Sequence, residues 1–253
     1  MAARRSHVPF VLGALGAVLL AGGVAGWLYF HPRPPAAVPT PVTPAPLPPP
    51  VAAEPALPDR AATDAQVRRL FGHLSRQAAW RAWLRQDDLV TRILAIADGL
   101  ARGVVPRDEL GAFAPRRPFA ALVRRGHLVI DPRSFHRYDA FADLVSSLDA
   151  HRCVAAYQTL LPILRIAYHV FGYPKADFDV TVHRALATIE ETPVPAGTPR
   201  LQDAEGALYR FADPKLEGLD AVQKQILRMG SGNQLRIQDK ARELDALLRG
   251  PNG

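Results

Sequence analysis

The sequence predicts a mainly α protein that consists of an N-terminal transmembrane helix, a proline-rich linker and a multi-helix globular domain with one short β-hairpin. Three observations predict this class. Residues 8–30 carry no charge, 12 of the 28 residues in 31–58 are proline, and most of 59–253 repeats apolar residues at helical spacing. The predicted boundaries are a tail at 1–7, an anchor at 8–30, a linker at 31–58 and a helical domain at 59–253.

Residues 8–30 have the length of a membrane-spanning helix. At 1.5 Å per residue they extend about 34 Å, and a hydrocarbon core is about 30 Å thick. Arg4 and Arg5 precede the run, and basic residues stay on the cytoplasmic side, so the domain is predicted to lie outside. Arg33 weakens this asymmetry. A cleaved signal peptide ending near Gly23-Val24-Ala25 is the alternative, although the apolar run exceeds the usual length of a signal-peptide core.

Small residues also recur along this segment. A homodimer through the membrane helix is one interpretation, since small residues let two helices approach closely, and the ordinary composition of membrane helices is the other. The small residues are Gly13, Ala17, Ala21 and Ala25 at four-residue spacing, with Gly22 and Gly26 as a second pair.

The linker at 31–58 favours polyproline II and would span roughly 85 Å if fully extended. It therefore predicts a spacer.

The first half of the domain contains helices and one hairpin. Thr63 or Asp64 is predicted to cap the first helix. Two further helices are predicted to join near Gln86 and to end at Gly103. Two short apolar runs about Arg125-Gly126 then predict the β-hairpin.

The second half is predicted to be helical over 139–148, 150–171 and 177–191. Asp213-Pro214 is typical of a helix start. Capping boxes are predicted for Asp220 with Gln223 and for Ser231 with Gln234. The inward side chains of the last helix are predicted to be Leu235, Ile237, Ala241, Leu244 and Leu248.

Three stretches of this domain resemble a known family. They are "GYPKADF", "LYRFADPKLEGLDAVQKQILRMG" and the "RYD" of Arg137–Asp139. Over about residues 63–249 the chain is similar to the bacterial family called domain of unknown function 3014, with "SGN" where the family pattern has "PEN". The resemblance implies an anchor, a linker and this domain, and it brings no activity, ligand or catalytic residue. Placement in the bacterial inner membrane, as a single-pass protein with a periplasmic C-terminal domain, is therefore expected.

Composition excludes some kinds of site. The single cysteine, Cys153, rules out an intramolecular disulfide and a four-cysteine zinc site. No GxSxG, P-loop, GxGxxG or HExxH motif occurs, and no cofactor is predicted. Cys153 with His151 would make a weak nucleophile and base pair, because residues two apart on a helix point to different faces. We interpret Cys153 as a buried, inert thiol.

An arginine cluster is the strongest local charge signal. With a net charge of +7 and only four lysines, the chain concentrates arginine within one short reach. This cluster could dock an anionic envelope component or an envelope protein, or it could be a solvated loop. Nucleic acid is not a predicted partner, because the domain is placed outside the cytoplasm. The cluster comprises Arg116, Arg117, Arg124, Arg125, Arg133 and Arg137.

Two sets of His and Asp residues are weak metal candidates. Helical spacing would put each set on one face, whereas capping or a solvated face is the alternative. The sets are His136, Asp139 and Asp143, and Asp177, Asp179 and His183.

The function predicted from the whole sequence is a non-catalytic, membrane-tethered periplasmic interaction or scaffold module of the cell envelope. The alternative is an envelope hydrolase that uses His/Asp acid–base or metal chemistry.

The predicted topology has a direct test. A reporter that is active only outside the cytoplasm, fused after Gly253, is expected to be active because Arg4 and Arg5 hold the amino terminus inside. A cytoplasm-only reporter at the same site is the control. Activity from that control alone would reverse the topology.

Overall fold

A computed structural model of the chain describes residues 59–172, 177–204 and 208–250. The predicted tail, anchor and linker lie outside these residues. None of the helices in this part of the chain has both the length and the apolar character needed to cross a membrane.

The described part is mainly helical, as predicted. The helices are α1 Arg60–Phe71, α2 Ala78–Leu84, α3 Leu89–Ala101, α4 Pro132–Phe135, α5 Asp139–Ser147, α6 Ala150–Val170, α7 Phe178–Glu190, α8 Pro214–Glu217, α9 Ala221–Leu227 and α10 Ser231–Arg249. Two 3-10 turns cover Gly111–Phe113 and His136–Tyr138.

The predicted hairpin is confirmed. Strands β1 (Ala121–Arg124) and β2 (His127–Ile130) pair antiparallel, with Arg124 opposite His127. Arg125 and Gly126 both have positive φ, at 51° and 74°, which a tight two-residue hairpin turn of this hand requires.

A second hairpin was not predicted. Strands β3 (Leu201–Ala204) and β4 (Leu208–Phe211) pair antiparallel, and a bridge between Val129 and Arg200 links the two hairpins. Strands of four residues show too little alternation to be distinguished from other short apolar runs.

Three clusters of buried side chains form the core. The largest joins α1, α2, α3, α6 and α7 around Leu89, Leu160 and Phe178. A second holds the hairpins against α9 through Ile130, Leu201, Phe211 and Leu227. The third lies between α5, α9 and α10 and consists of Tyr138, Ala142, Met229 and Ile237.

Helix α1 shapes the turn between α2 and α3. The predicted cap at Thr63 or Asp64 is wrong, because Asp59 caps α1 by accepting from the Ala62 amide at 3.0 Å. Asp64 is buried one turn inside the helix. It accepts hydrogen bonds from the Asp88 and Leu89 amides, at 3.0 and 2.8 Å, and so satisfies free N–H groups at the start of α3.

Arg68, on the next turn of α1, bonds the opposite end of the same connection. Its Nε donates to the Leu84 carbonyl and its Nη2 to the Gln86 carbonyl, both at 2.8 Å. The Leu84 and Gln86 carbonyls lie at the end of α2 and just beyond it, where a helix leaves its carbonyls without a helical partner. Asp64 and Arg68 thus fix the junction predicted near Gln86 from outside it.

Helix α10 buries amides where leucine was expected. Leu235 is 43% exposed, whereas Gln234 and Gln238 are fully buried. The Gln238 amide nitrogen lies 3.0, 3.1 and 2.7 Å from the carbonyl oxygens of Ile189, Glu190 and Thr192. These carbonyls lie at and just after the end of α7. Ile189 also accepts from the Thr192 amide and Thr192 from Gln234, so an apolar residue at position 238 would remove the side-chain donor to Glu190 and weaken the pairing of the other two.

We expect Gln238→Leu to lower the free energy of unfolding by about 1–3 kcal/mol, because it keeps the volume and removes the donor to these buried carbonyls. Urea unfolding followed by circular dichroism measures the change. The matched control is Gln158→Leu on the exposed face of α6, which should stay within about 0.5 kcal/mol of the wild type. Equal stability of the two variants would contradict the capping role of Gln238.

Candidate functional site

The six clustered arginines separate into different environments. Arg116 and Arg117 are exposed in the loop before β1, and Arg124 and Arg125 are exposed at the hairpin turn. The hairpin turn lies about 10 Å along the strands from the end that continues into α4. The six arginines therefore do not form one compact patch.

Arg133 is engaged within the domain. Its Nε and Nη2 lie 3.0 and 2.6 Å from Oδ2 of Asp131, which is buried. Hydrogen bonds from Arg133 hold the pKa of Asp131 below its ordinary value. Asp131 also accepts from the Arg133 amide at 2.8 Å and so caps α4. The structure thus gives Arg133 a local structural partner.

Arg137 differs from the other five arginines. It is half-buried, with its guanidinium carbon 5.9 Å from the ring centre of Phe119 and 5.4 Å from that of Tyr138. Nε and Nη1 are buried and have no hydrogen-bond partner among the described residues. Two aromatic rings therefore hold a positive group whose covered donors lack an acceptor.

The carboxylate of the same RYD motif is already bonded elsewhere. Asp139 Oδ1 accepts from the Asn233 amide nitrogen at 2.9 Å, and Oδ2 lies 2.8 Å from Nδ1 of His136. Hydrogen bonds from Asn233, and then from His136, hold the pKa of Asp139 below its ordinary value. The two carboxylate oxygens of Asp139 therefore bond Asn233 on α10 and His136, and neither oxygen bonds Arg137.

Asn233 and Gly230 connect the RYD motif to α10. The Asn233 amide nitrogen also lies 3.1 Å from the carbonyl oxygens of Phe135 and Met229. Gly230 has a φ of +83°, and a Cβ there would come within 2.7 Å of the Phe135 ring. The predicted capping box of Ser231 is wrong, since α10 begins without a side-chain cap. Ser231 and Gly232, the first two residues of the SGN stretch, are exposed.

Arg137 lines a cleft of about 340 Å³. Polar atoms reach this cleft from Arg107, Tyr138 and Gln225, and the Gln225 amide donates to the Tyr138 hydroxyl at 2.8 Å. The remaining lining is apolar and consists of Val105, Leu110, Phe113, Ala114, Pro115, Phe141 and Met229.

The electrostatics near this cleft are positive. Burial lowers the pKa of Arg228, while the nearby Glu217 carboxylate opposes that shift. Arg228 itself lies 4.9 Å from the Phe211 ring centre and donates to the carbonyl of Tyr209. Arg107 and Arg137 line the cleft without an acidic residue in its lining, which favours an anion there.

The first set of metal candidates does not converge. His136 and Asp139 bond each other, while Asp143 accepts from Nη2 of Arg236 at 2.6 Å. Within residues 59–172, 177–204 and 208–250, no group of three His, Cys, Asp or Glu side chains is arranged to hold a metal ion.

The second set has three separate roles. Asp177 caps α7 by accepting from the Asp179 amide at 3.0 Å. Asp179 accepts from the Tyr157 hydroxyl at 2.5 Å and also bonds Arg165. His183 Nδ1 lies 2.7 Å from Oδ1 of Asp245 on α10. These contacts stabilise the packing of α6, α7 and α10.

Cys153 is half-buried on α6, and burial raises the pKa of its thiol to about 11. His151 is exposed nearby on the same helix. A thiol with so high a pKa is protonated at neutral pH, which agrees with the prediction of an inert cysteine.

A family model described as "Protein of unknown function (DUF3014)" matches residues 89–245. The chain belongs to this family. The sequence resemblance is thereby confirmed, and the matched range includes Arg137, Gln225, Gly230 and Asn233 of the cleft region. No curated protein and no solved structure matches the chain.

Within this DUF3014 domain, sequence reasoning identified Arg137 but missed Arg107, Phe119 and Gln225 as its neighbours. Gln225 lies in the "LYRFADPKLEGLDAVQKQILRMG" stretch that carried the resemblance, and Arg137 lies in "RYD". The two motifs together could have indicated that Gln225 and Arg137 are neighbours, because α9 and the segment after the hairpin meet at this cleft.

Asp139→Asn tests the link between the RYD motif and α10. The pKa of Asp139 is lower in the folded chain than in the unfolded one, so its contribution is present above the ordinary value of 3.8 and is lost as pH falls through the lowered value. We expect a loss of about 1 kcal/mol at neutral pH, since the carboxylate is partly exposed and screened, and a smaller loss in acid.

The measurement is urea unfolding of wild type and variant between neutral pH and pH about 3. Asp203→Asn, on the exposed face of β3, is the matched control and should change stability little at any pH. A loss of equal size across the whole pH range would show that the charge of Asp139 is not responsible.

Proposed function

We propose that this protein is a non-catalytic interaction module of the bacterial cell envelope that holds an anionic group of an envelope component in the Arg137 cleft. Residues 8–30 would tether it to the inner membrane as a single-pass protein. Residues 31–58 would place the domain in the periplasm at a distance of up to roughly 85 Å.

The observation that carries the proposal is the environment of Arg137. Burying a charged group is unfavourable unless it is paired and hydrogen-bonded. The buried Nε and Nη1 of Arg137 have no acceptor within the described residues, and its sequence neighbour Asp139 is bonded to Asn233 and His136. A carboxylate or phosphate in the cleft would supply the missing opposite charge to the guanidinium through Nη2, which is not among the covered nitrogens.

The packing of Arg137 also favours binding. Phe119 and Tyr138 hold the guanidinium at 5.9 and 5.4 Å, so much of the side-chain freedom that binding would remove is already restricted. Tyr138 is fixed in turn by the Gln225 amide. A preorganised arginine at an apolar cleft is typical of a recognition site that orients one charged group of a ligand.

The exposed arginines would act at longer range. Arg116, Arg117, Arg124 and Arg125 are solvated, so their interactions with an anion are screened by salt. They would raise the rate of encounter with an anionic envelope component, whereas Arg137 would hold it. Docking through these exposed residues stays a prediction of the sequence.

Photo-crosslinking in cells tests the proposal. A photoreactive residue in place of Ala114, which is exposed at the cleft, should capture a defined envelope component. Arg137→Gln should reduce that product by about tenfold or more, as expected for loss of a charge-assisted hydrogen bond. The matched charge control is Arg152→Gln on the exposed start of α6, and the matched position control is a photoreactive residue at Ala155.

A product that is unchanged by Arg137→Gln would contradict binding in the cleft. Loss of the product only in a variant with Arg117, Arg124 and Arg125 replaced by glutamine would assign the contact to the exposed arginines. Turnover of envelope material by the purified chain would instead favour the hydrolase alternative.

A further inference from the structure

An apolar hollow lies behind the Arg137 cleft. It consists of two adjoining cavities of about 220 and 330 Å³. Protein interiors are close-packed and hold few voids larger than a water molecule, while small-molecule sites occupy about 300–1,000 Å³. The size of this hollow is therefore that of a ligand site.

The side chains around the hollow are apolar but incompletely covered. Ile96 on α3, Val145 on α5 and Leu186 and Ile189 on α7 line both cavities and are only half-buried. Ile96 faces inward from α3. Ile96 remains accessible because no side chain of residues 59–172, 177–204 or 208–250 fills the space in front of it.

The hollow opens into the cleft of Arg137. Leu110 and Phe141 line the cleft and both apolar cavities. Gln225 and Met229 are shared between the cleft and the smaller cavity. The three spaces therefore adjoin through shared side chains, with the guanidinium groups of Arg107 and Arg137 at the cleft and almost purely apolar walls around the two cavities.

Lys240, the cation at the apolar end of this space, is already paired. Lys240 borders the smaller cavity, and its Nζ lies 2.6 Å from the Leu148 carbonyl oxygen and 2.5 Å from Oε2 of Glu243. A ligand with an anionic head would accordingly place that head at Arg137 and its chain toward Val145 and Leu186.

We infer that the cleft and the hollow form one binding site for a long-chain fatty acid, with its carboxylate at Arg137 and its acyl chain between α3, α5 and α7. This deepens and rests on the proposed function, because it names the ligand class of the same cleft. Burial of apolar chain surface supplies most of the binding energy, and the guanidinium selects a carboxylate head.

Tryptophan fluorescence gives a direct measurement. Trp80 and Trp83 line the larger cavity, and Trp27 is the remaining tryptophan of the chain. The full chain carrying Trp27→Phe, in phosphatidylcholine nanodiscs, is titrated with doxyl-labelled stearate. Saturable quenching is expected, because a spin label on the bound chain comes close to the two remaining indoles.

Competition with unlabelled compounds then ranks their affinities for the site. Stearate should displace the label far better than stearyl alcohol, which lacks the charge, or butyrate, which lacks the chain.

Two variants test the contact with the carboxylate and the contact with the acyl chain separately. The folding of each variant is checked by circular dichroism. Arg137→Gln should weaken stearate binding by about tenfold or more and reduce the advantage of stearate over stearyl alcohol. Val145→Phe should weaken both compounds by filling the hollow. The matched controls are Arg152→Gln and Val180→Phe, the latter on the exposed face of α7, and both should bind stearate like the parent chain.

The absence of saturable quenching, or quenching that Val145→Phe leaves unchanged, would overturn the inference. If the Arg137-dependent crosslink at Ala114 is obtained while stearate fails to bind, the fatty-acid inference fails and the proposed function stands. If stearate binding is equal in Arg137→Gln and the parent chain, the carboxylate assignment fails.

Discussion

The polar face of α10 is the constraint on which the rest of the domain depends. Asn233, Gln238 and Lys240 are buried, and each donates to backbone carbonyls at the end of another segment. These acceptors are the carbonyls that a helix end leaves without a partner. By satisfying them, α10 fixes the ends of α4, α5 and α7 relative to one another, which places the RYD motif beside the cleft.

This mode of attachment also accounts for the hollow. Helices α5 and α7 are held at their ends by α10 through hydrogen bonds, in addition to side-chain packing. The space between their middles is consequently not required to be close-packed for the helices to stay in place. Val145 and Leu186 stay half-buried around a cavity.

The charged groups of the domain show why Arg137 is unusual. Asp64, Asp131 and Lys240 are buried, and each has hydrogen-bond partners that compensate for its desolvation. Arg137 is held between two aromatic rings, yet its covered nitrogens lack an acceptor within the described residues. A site with a charged group on one side and apolar walls behind it can bind both the polar head and the apolar chain of an amphiphilic ligand.

The sequence by itself determined the helical class, the hairpin at Arg125-Gly126 and the family, since periodicity, positive-φ turn residues and local motifs act over short distances. Tertiary structure decided which backbone amides Asp64 would accept from and which carbonyls Arg68 and Gln238 would donate to, because those partners lie on other segments. It likewise brought Phe119 against Arg137, whereas Arg133 pairs with Asp131, only two residues before it. The hollow could not be predicted, because a stripe of apolar residues has the same spacing whether it faces a packed core or an open cavity.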